Sequence, residues 1–114
     1  MADATSMTAR EFVNQILPAG LEMMSKNTKG LNCIVGLHLL GEGGGTWTLT
    51  ITNGQTRLEE GVTEYLDCVF SIPAEDYLLL VSGRMNPYEA VAKGKVGISG
   101  DLGVAARLRF LFRI

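Results

Sequence analysis

Alternation of apolar and polar residues predicts strands in the first half of the chain. Residues 31–39 alternate, with leucine, cysteine and valine on one face. In residues 46–52 the alternation is regular, with three large apolar side chains between four threonines. A period of two residues gives a sheet one apolar face. Asn53-Gly54 predicts a type I′ hairpin turn. The return strand over 55–62 is polar, so we expect it either to lie at an edge or to be solvated on one face, and we expect a fourth strand over 66–72.

Apolar residues at helical spacing precede these strands. Phe12 lies on the apolar face of a helix predicted over residues 8–28. Thr8 and Glu11 have the spacing of a capping box, in which each side chain bonds to the other's backbone N–H. Pro18 has no N–H to donate, so we expect it to kink or split this helix.

Shorter elements separated by glycines follow in the last third of the chain. Pro73 at a first helical position begins a helix, and Gly83 ends it. Residues 86–94 contain another short helix, and 96–98 a fifth strand. The final helix runs from an aspartate cap over 101–112. Because most strands occur in one run, the pattern indicates an α+β fold with a single domain over all 114 residues.

Composition leaves two explanations of the apolar content open. Hydrophobic residues make up 46% of the chain and charged residues 19%, which excludes a disordered protein. Such a composition fits a chain that lines an internal cavity, and it equally fits a well-filled core. The methionines at 23, 24 and 85 suit either a core or an adaptable lipid surface.

Charge is unevenly distributed. The net charge of −2 argues against a nucleic-acid partner. Residues 81–114, however, carry six basic and two acidic side chains. Arg107, Arg109 and Arg113 lie outside the apolar arc of the final helix, as does Phe110. We expect this face to contact an anionic head group or membrane. The alternatives are a solvated helix face, or a helix that ends early and turns Phe110 inward.

Catalytic and metal chemistry find little support. The glycines at 41–45 precede a strand and lack a following Lys-Ser/Thr, so they form a hairpin loop, not a phosphate loop. His38 is the only histidine and has no partner for a triad or metal site. Cys33 and Cys68 are expected to be buried thiols. We expect no enzyme, no cofactor and no metal. Without a signal peptide or a long apolar run, we expect a cytoplasmic protein.

Two segments carry a family resemblance. TWTLTITNG at 46–54 and the stretch 67–103, with SGRMNP and ISGDLG, resemble the sterol-carrier-protein family over roughly residues 10–112. The resemblance implies a five-stranded, mostly antiparallel sheet covered by helices, with an apolar tunnel between them. It implies a non-catalytic intracellular protein that binds or transfers a fatty acid, fatty acyl-CoA, sterol or similar lipid.

The resemblance also implies that helical faces line the tunnel. The residues expected to contact ligand are Phe12, Ile16, Met24, Trp47, Leu80, Val81, Met85, Val91, Val104, Leu108 and Phe112. The alternative function is an accessory or structural module that packs against a partner enzyme or a second copy and holds no ligand.

Overall fold

Five strands form one mixed sheet in the computed structural model, which describes residues 7–108 and 111. The strands are β1 (Cys33–Leu40), β2 (Gly45–Thr52), β3 (Gln55–Glu60), β4 (Cys68–Pro73) and β5 (Gly97–Gly100). Their order across the sheet is β3-β2-β1-β4-β5. β1 and β4 are parallel, whereas the other three neighbouring pairs are antiparallel. The predicted five-stranded, mostly antiparallel α+β sheet is confirmed.

Helices cover one face of this sheet. They are α1 (Ala9–Gln15), α2 (Leu17–Met23), α3 (Ser25–Thr28), α4 (Ala74–Val81), α5 (Pro87–Ala92) and α6 (Leu102–Arg107). Alternate strand residues such as Val35, Leu49 and Phe70 are buried in one cluster with helical residues such as Val13 and Leu80. The period-two pattern therefore selects the face on which the helices pack.

The N-terminal helix is split into three pieces. Thr8 Oγ1 accepts a hydrogen bond from the Glu11 N–H, and Glu11 Oε1 accepts one from the Thr8 N–H, so the capping box is confirmed. α1 ends with Ile16 as its C-cap, and Pro18 is the second residue of α2. The missing N–H of Pro18 costs least there, which explains why the helix divides at this point. A second break falls at Met24.

The turn at Asn53-Gly54, the cap at Asp101 and the helix end at Gly83 were predicted correctly. Asn53 and Gly54 both have positive φ, 50° and 82°, as the hairpin turn requires. Asn86 caps α5 and Asp101 caps α6 with side-chain oxygens. Gly83 follows α4 with φ 78°, a conformation that ends a helix.

Two helix boundaries differ from the predictions. Pro73 is the N-cap of α4, not its first helical residue, because its ψ of 136° still belongs to the end of β4. α6 ends at Arg107, with Leu108 as its C-cap, and does not reach the predicted end near Phe112. Phe112 itself lies outside the described residues.

The segment 61–67 crosses the uncovered face of the sheet to bring β4 beside β1. Thr48 Oγ1 donates to the Gly61 carbonyl, which explains why this threonine is only 4% exposed. Leu66 lies over Gly36, where an added Cβ would come within 3.0 Å of the leucine. At the end of the crossing, Asp67 Oδ2 accepts from the Ile34 N–H at 2.7 Å, and the Asp67 N–H donates to the Ile34 carbonyl. This two-way bond holds the parallel register.

The glycine-rich loop between β1 and β2 is a hairpin loop, as predicted. A Cβ at Gly44 would lie 2.1 Å from the Leu39 carbonyl oxygen, so only glycine fits there. The Arg10 N–H donates to the Gly43 carbonyl at 2.9 Å. The loop thus serves to seat the start of α1 against the sheet.

Candidate ligand-binding site

An aromatic pair joins the first helix to the fourth above the sheet. The Phe12 and Tyr77 rings meet edge to face, with centroids 5.8 Å apart and planes at 74°. Tyr77 is completely buried, and this burial raises the pKa of its hydroxyl far above the ordinary value. The hydroxyl therefore stays protonated, and the helical layer over the sheet contains no charge at this point.

Trp47 forms part of the floor beneath this helical layer. Its ring is 1% exposed, and its Nε1–H donates to Asn14 Oδ1 at 2.9 Å. Asn14 Nδ2 donates in turn to Glu60 Oε1 at 3.3 Å, and Glu60 forms an ion pair with Arg10. The Arg10 guanidinium also lies 5.9 Å from the Trp47 ring centroid. These polar contacts fix the tryptophan between α1 and the edge of the sheet.

A groove opens at the turn between α4 and α5. Residues 80–87 line it, and its volume is about 410 Å³. Leu80 and Val81 are its buried apolar residues, and Met85 is half-buried and packs against the core. Ser82, Arg84 and Asn86 are its exposed polar residues. The groove therefore connects the edge of the core with solvent.

The turn that carries the groove is held by one carbonyl. The N–H groups of Arg84 and Met85 donate to Leu79 O at 2.8 and 3.1 Å. Ser82 Oγ donates to the same oxygen at 3.1 Å. Asn86 Oδ1 then accepts from the first free N–H groups of α5. These bonds fix the backbone on both sides of Arg84.

The structure brings together some of the residues expected to contact ligand and separates others. Leu80, Val81 and Met85 share the groove. Ile16 and Val91 are 39% and 49% exposed, so they lie on the outer surface. The other described members are buried or half-buried in and around the core: Phe12, Met24, Trp47, Val104 and Leu108. Ligand contact by each of these residues stays a prediction.

Of the residues predicted to form the basic face of the final helix, only Arg107 lies within the described part of the chain. Arg107 is exposed in the last turn of α6. Arg109, Phe110 and Arg113 lie outside the described residues. Ala105 in α6, and Leu108 and Leu111 beyond its end, are buried.

Two residues of this region were missed by the sequence reasoning. Tyr77 precedes Leu80 and Val81 by three and four positions, so helical spacing alone was enough to find it. Arg84 was counted only as one of several basic residues. Its place on the groove depends on the tight turn after α4, and periodicity carries no signal for that.

The two cysteines and His38 do not line the groove at residues 80–87. Cys33 and Cys68 are free and buried, as predicted. Burial, and then the neighbouring Cys33, raises the pKa of the Cys68 thiol to about 11. His38 is half-buried on the opposite face of the sheet. Within residues 7–108 and 111, no three His, Cys, Asp or Glu side chains lie close enough together to hold a metal ion.

In the same part of the chain, every helix is too short or too polar to cross a membrane.

Comparison with known proteins identifies the family. A model of the SCP-2 sterol transfer family matches residues 13–113. The chain belongs to this family. Human sterol carrier protein 2 is 34% identical over 66 residues, which is 58% of this chain and 12% of the human protein. The chain thus matches only a small part of that relative's length. The family's members bind or transfer lipid, and the domain itself is non-catalytic.

Solved structures of the SCP-2 family share the fold. The second sterol carrier protein domain of Helicoverpa armigera has a TM-score of 0.72 at 24% identity, covering 97% of this chain and 91% of that one. Palmitated SCP2L2 of Aedes aegypti has a TM-score of 0.67 at 23% identity, covering 86% of this chain and 88% of that one. At these identities the likeness establishes the fold.

Proposed function

We propose that this domain binds one apolar lipid between its sheet and helices and carries or stores it without chemical change. The ligand class is a fatty acid, a fatty acyl-CoA, a sterol or a similar apolar molecule. The observation that carries the proposal is the groove at residues 80–87, which leads from solvent to buried Leu80 and Val81 at the edge of the core.

The energetics of lipid burial favour such a site. Each methylene removed from water contributes about 0.8 kcal/mol, so apolar walls alone give substantial affinity to a long chain. A tunnel continuing from the groove between α1, α4 and the sheet would place the ligand against Phe12, Trp47 and Leu80. Family membership supports the same assignment, and one structural relative is described as palmitated.

Extraction of the purified protein tests this function. Organic extraction followed by mass spectrometry should recover a stoichiometric lipid from the folded protein. The delipidated protein should then bind a fluorescent fatty acid with micromolar affinity or better, about −8 kcal/mol. Protein unfolded in urea and extracted in parallel is the control for nonspecific adsorption. If no lipid is recovered and no probe is displaced, the carrier function is wrong.

The alternative function is an accessory module without ligand. It is supported by the human relative, of which the match covers 12%. A module of this kind would pack against a partner enzyme or a second copy of the chain. The extraction above separates the two functions, because the module should yield no lipid, and sedimentation should then show a stable complex.

Contact with anionic membranes is a further part of the proposal. Tyr88, Val91 and Leu102 are exposed apolar residues in the basic last third of the chain, where Lys93 and Arg107 are also exposed. Exposed apolar side chains among cations are the combination that peripheral membrane helices use. Lipid transfer to anionic vesicles should be faster than to neutral vesicles and should slow as salt is added. Equal rates at low salt would contradict membrane contact and leave lipid binding unaffected.

A further inference from the structure

The polar side chains around the groove at residues 80–87 are predominantly hydrogen-bond donors. Its lining contains no aspartate or glutamate. Asn86 uses its side-chain oxygen to cap α5, which leaves its amide nitrogen as the available group. Ser82 already donates its hydroxyl hydrogen to Leu79 O. Arg84 adds a guanidinium with five N–H donors. The side chains of the groove therefore offer a guest the Arg84 guanidinium and the Asn86 amide nitrogen as donors, and the Ser82 hydroxyl oxygen as an acceptor.

Arg84 is available for an external partner. Each ion pair recorded in the described part of the chain belongs to another residue: Arg10 with Glu60, Arg57 with Glu59, and Lys95 with Asp76. Arg84 is exposed, and its backbone is held by the bond from its N–H to Leu79 O at 2.8 Å. A cation on a fixed backbone, beside apolar Leu80 and Val81, suits a molecule with an anionic end and an apolar tail.

We propose that Arg84, assisted by the amide nitrogen of Asn86, binds the anionic head group of a single-chain lipid at the mouth of the groove. This inference rests on the proposed lipid-binding function and narrows its ligand class. The head group is a carboxylate or a phosphate, since both accept paired hydrogen bonds from a guanidinium. The tail starts against Leu80, Val81 and Met85, and the head stays near water, which lowers the desolvation cost of the charge.

Three ligands with the same tail test the inference. Dodecanoate, dodecyl phosphate and the uncharged dodecanol are titrated at neutral pH by displacement of a fluorescent fatty acid. The unaltered chain should bind both anions more tightly than the alcohol. Arg84→Gln should weaken anion binding about three- to tenfold, because an ionic hydrogen bond at an exposed rim is worth less than a buried one. Dodecanol binding should not change.

Arg57→Gln is the matched control. It removes the same charge from an exposed position on β3, away from the groove. It should leave all three affinities unchanged, which separates a local contact from the effect of net charge. The anion that loses more affinity in Arg84→Gln identifies the head group as carboxylate or phosphate.

The outcomes separate this inference from the proposed function. If dodecanol binds as tightly as the anions, or Arg84→Gln binds dodecanoate and dodecyl phosphate normally, Arg84 is not a head-group site, although the domain still binds lipid. If Arg84→Gln weakens the alcohol as much as the anions, the residue shapes the groove and does not recognise charge. If none of the three ligands binds, the inference is wrong, and the extraction experiment then shows separately whether the domain holds another lipid such as a sterol.

Discussion

Asn86 allows helix capping and ligand recognition to be separated at one position. Its Oδ1 accepts from the Tyr88 and Glu89 N–H groups at 2.8 and 3.3 Å, and Pro87, which lies between Asn86 and Tyr88, has no N–H. Asn86→Ala removes both bonds. Because Asn86 is exposed, water replaces part of the loss, so the free energy of unfolding should fall by about 1 kcal/mol, the usual value for a lost N-cap.

Urea unfolding followed by Trp47 fluorescence measures this loss. Trp47 is the only tryptophan and is buried, so its emission should report global unfolding. With the slope usual for a small domain, a loss of about 1 kcal/mol lowers the urea midpoint by roughly 0.5 M. The slope itself should not change, because the surface exposed on unfolding stays the same.

Asn86→Asp is the informative control. An aspartate oxygen caps as well as asparagine does, and its negative charge is favourable at a helix N-terminus, so stability should be retained. The same carboxylate would lie beside Arg84 and compete with a bound anion. We expect Asn86→Asp to keep the urea midpoint but to weaken dodecanoate binding, with dodecanol unaffected. Equal losses of stability in the alanine and aspartate variants would refute the capping argument. Normal dodecanoate binding by the aspartate variant would count against the head-group site.

Three further changes probe the core and the buried groups. Leu108→Ala should lower the free energy of unfolding by about 2–5 kcal/mol because Leu108 is fully buried, whereas Leu102→Ala, at an exposed position of α6, should cost less than about 0.5 kcal/mol; similar losses would show that Leu108 is not core. Asn14→Ala leaves the buried Trp47 N–H without its acceptor and should cost about 1–3 kcal/mol, so an unchanged urea midpoint would contradict the assigned bond. Burial raises the pKa of Cys68 from 9.0 to about 11, so the folded chain keeps a proton that the unfolded chain releases. Stability should therefore fall as pH rises from about 9 to 11, and less steeply in Cys68→Ala; identical pH profiles would refute this.

The parts of the fold set by neighbouring residues could be predicted from the sequence. The turn at Asn53-Gly54 and the cap at Asp101 depend on bonds within a few residues, and each was predicted. The end of α6 was not, because the apolar spacing continues through Leu108 and Leu111 although the helix ends at Arg107. Helical periodicity gives the buried face but not the last helical residue.

Features that depend on residues far apart in the sequence were harder to predict from it. Nothing in the sequence of β4 specifies that it pairs in parallel with β1, since that register depends on Asp67 reaching the Ile34 N–H. The groove likewise depends on the turn at Leu79, where three donors share one carbonyl. Family resemblance supplied the helix-covered sheet, and the residues supplied its apolar face, but the place of Arg84 on the groove follows only from the fold of this turn.

The parallel pairing of β1 with β4 has a consequence for the order in which the chain folds. β1, β2 and β3 are joined by hairpins and form from local contacts. The other edge of β1 stays unpaired until β4 (Cys68–Pro73) is available to pair with it. During synthesis, a chain that has emerged only to Glu60 would present that edge unpaired, beside the apolar residues Val35 and Leu37. Unpaired edges of this kind attract other strands, and distant pairings form slowly. We therefore expect the nascent chain to be most prone to aggregation, and to bind chaperones most strongly, just before β4 emerges.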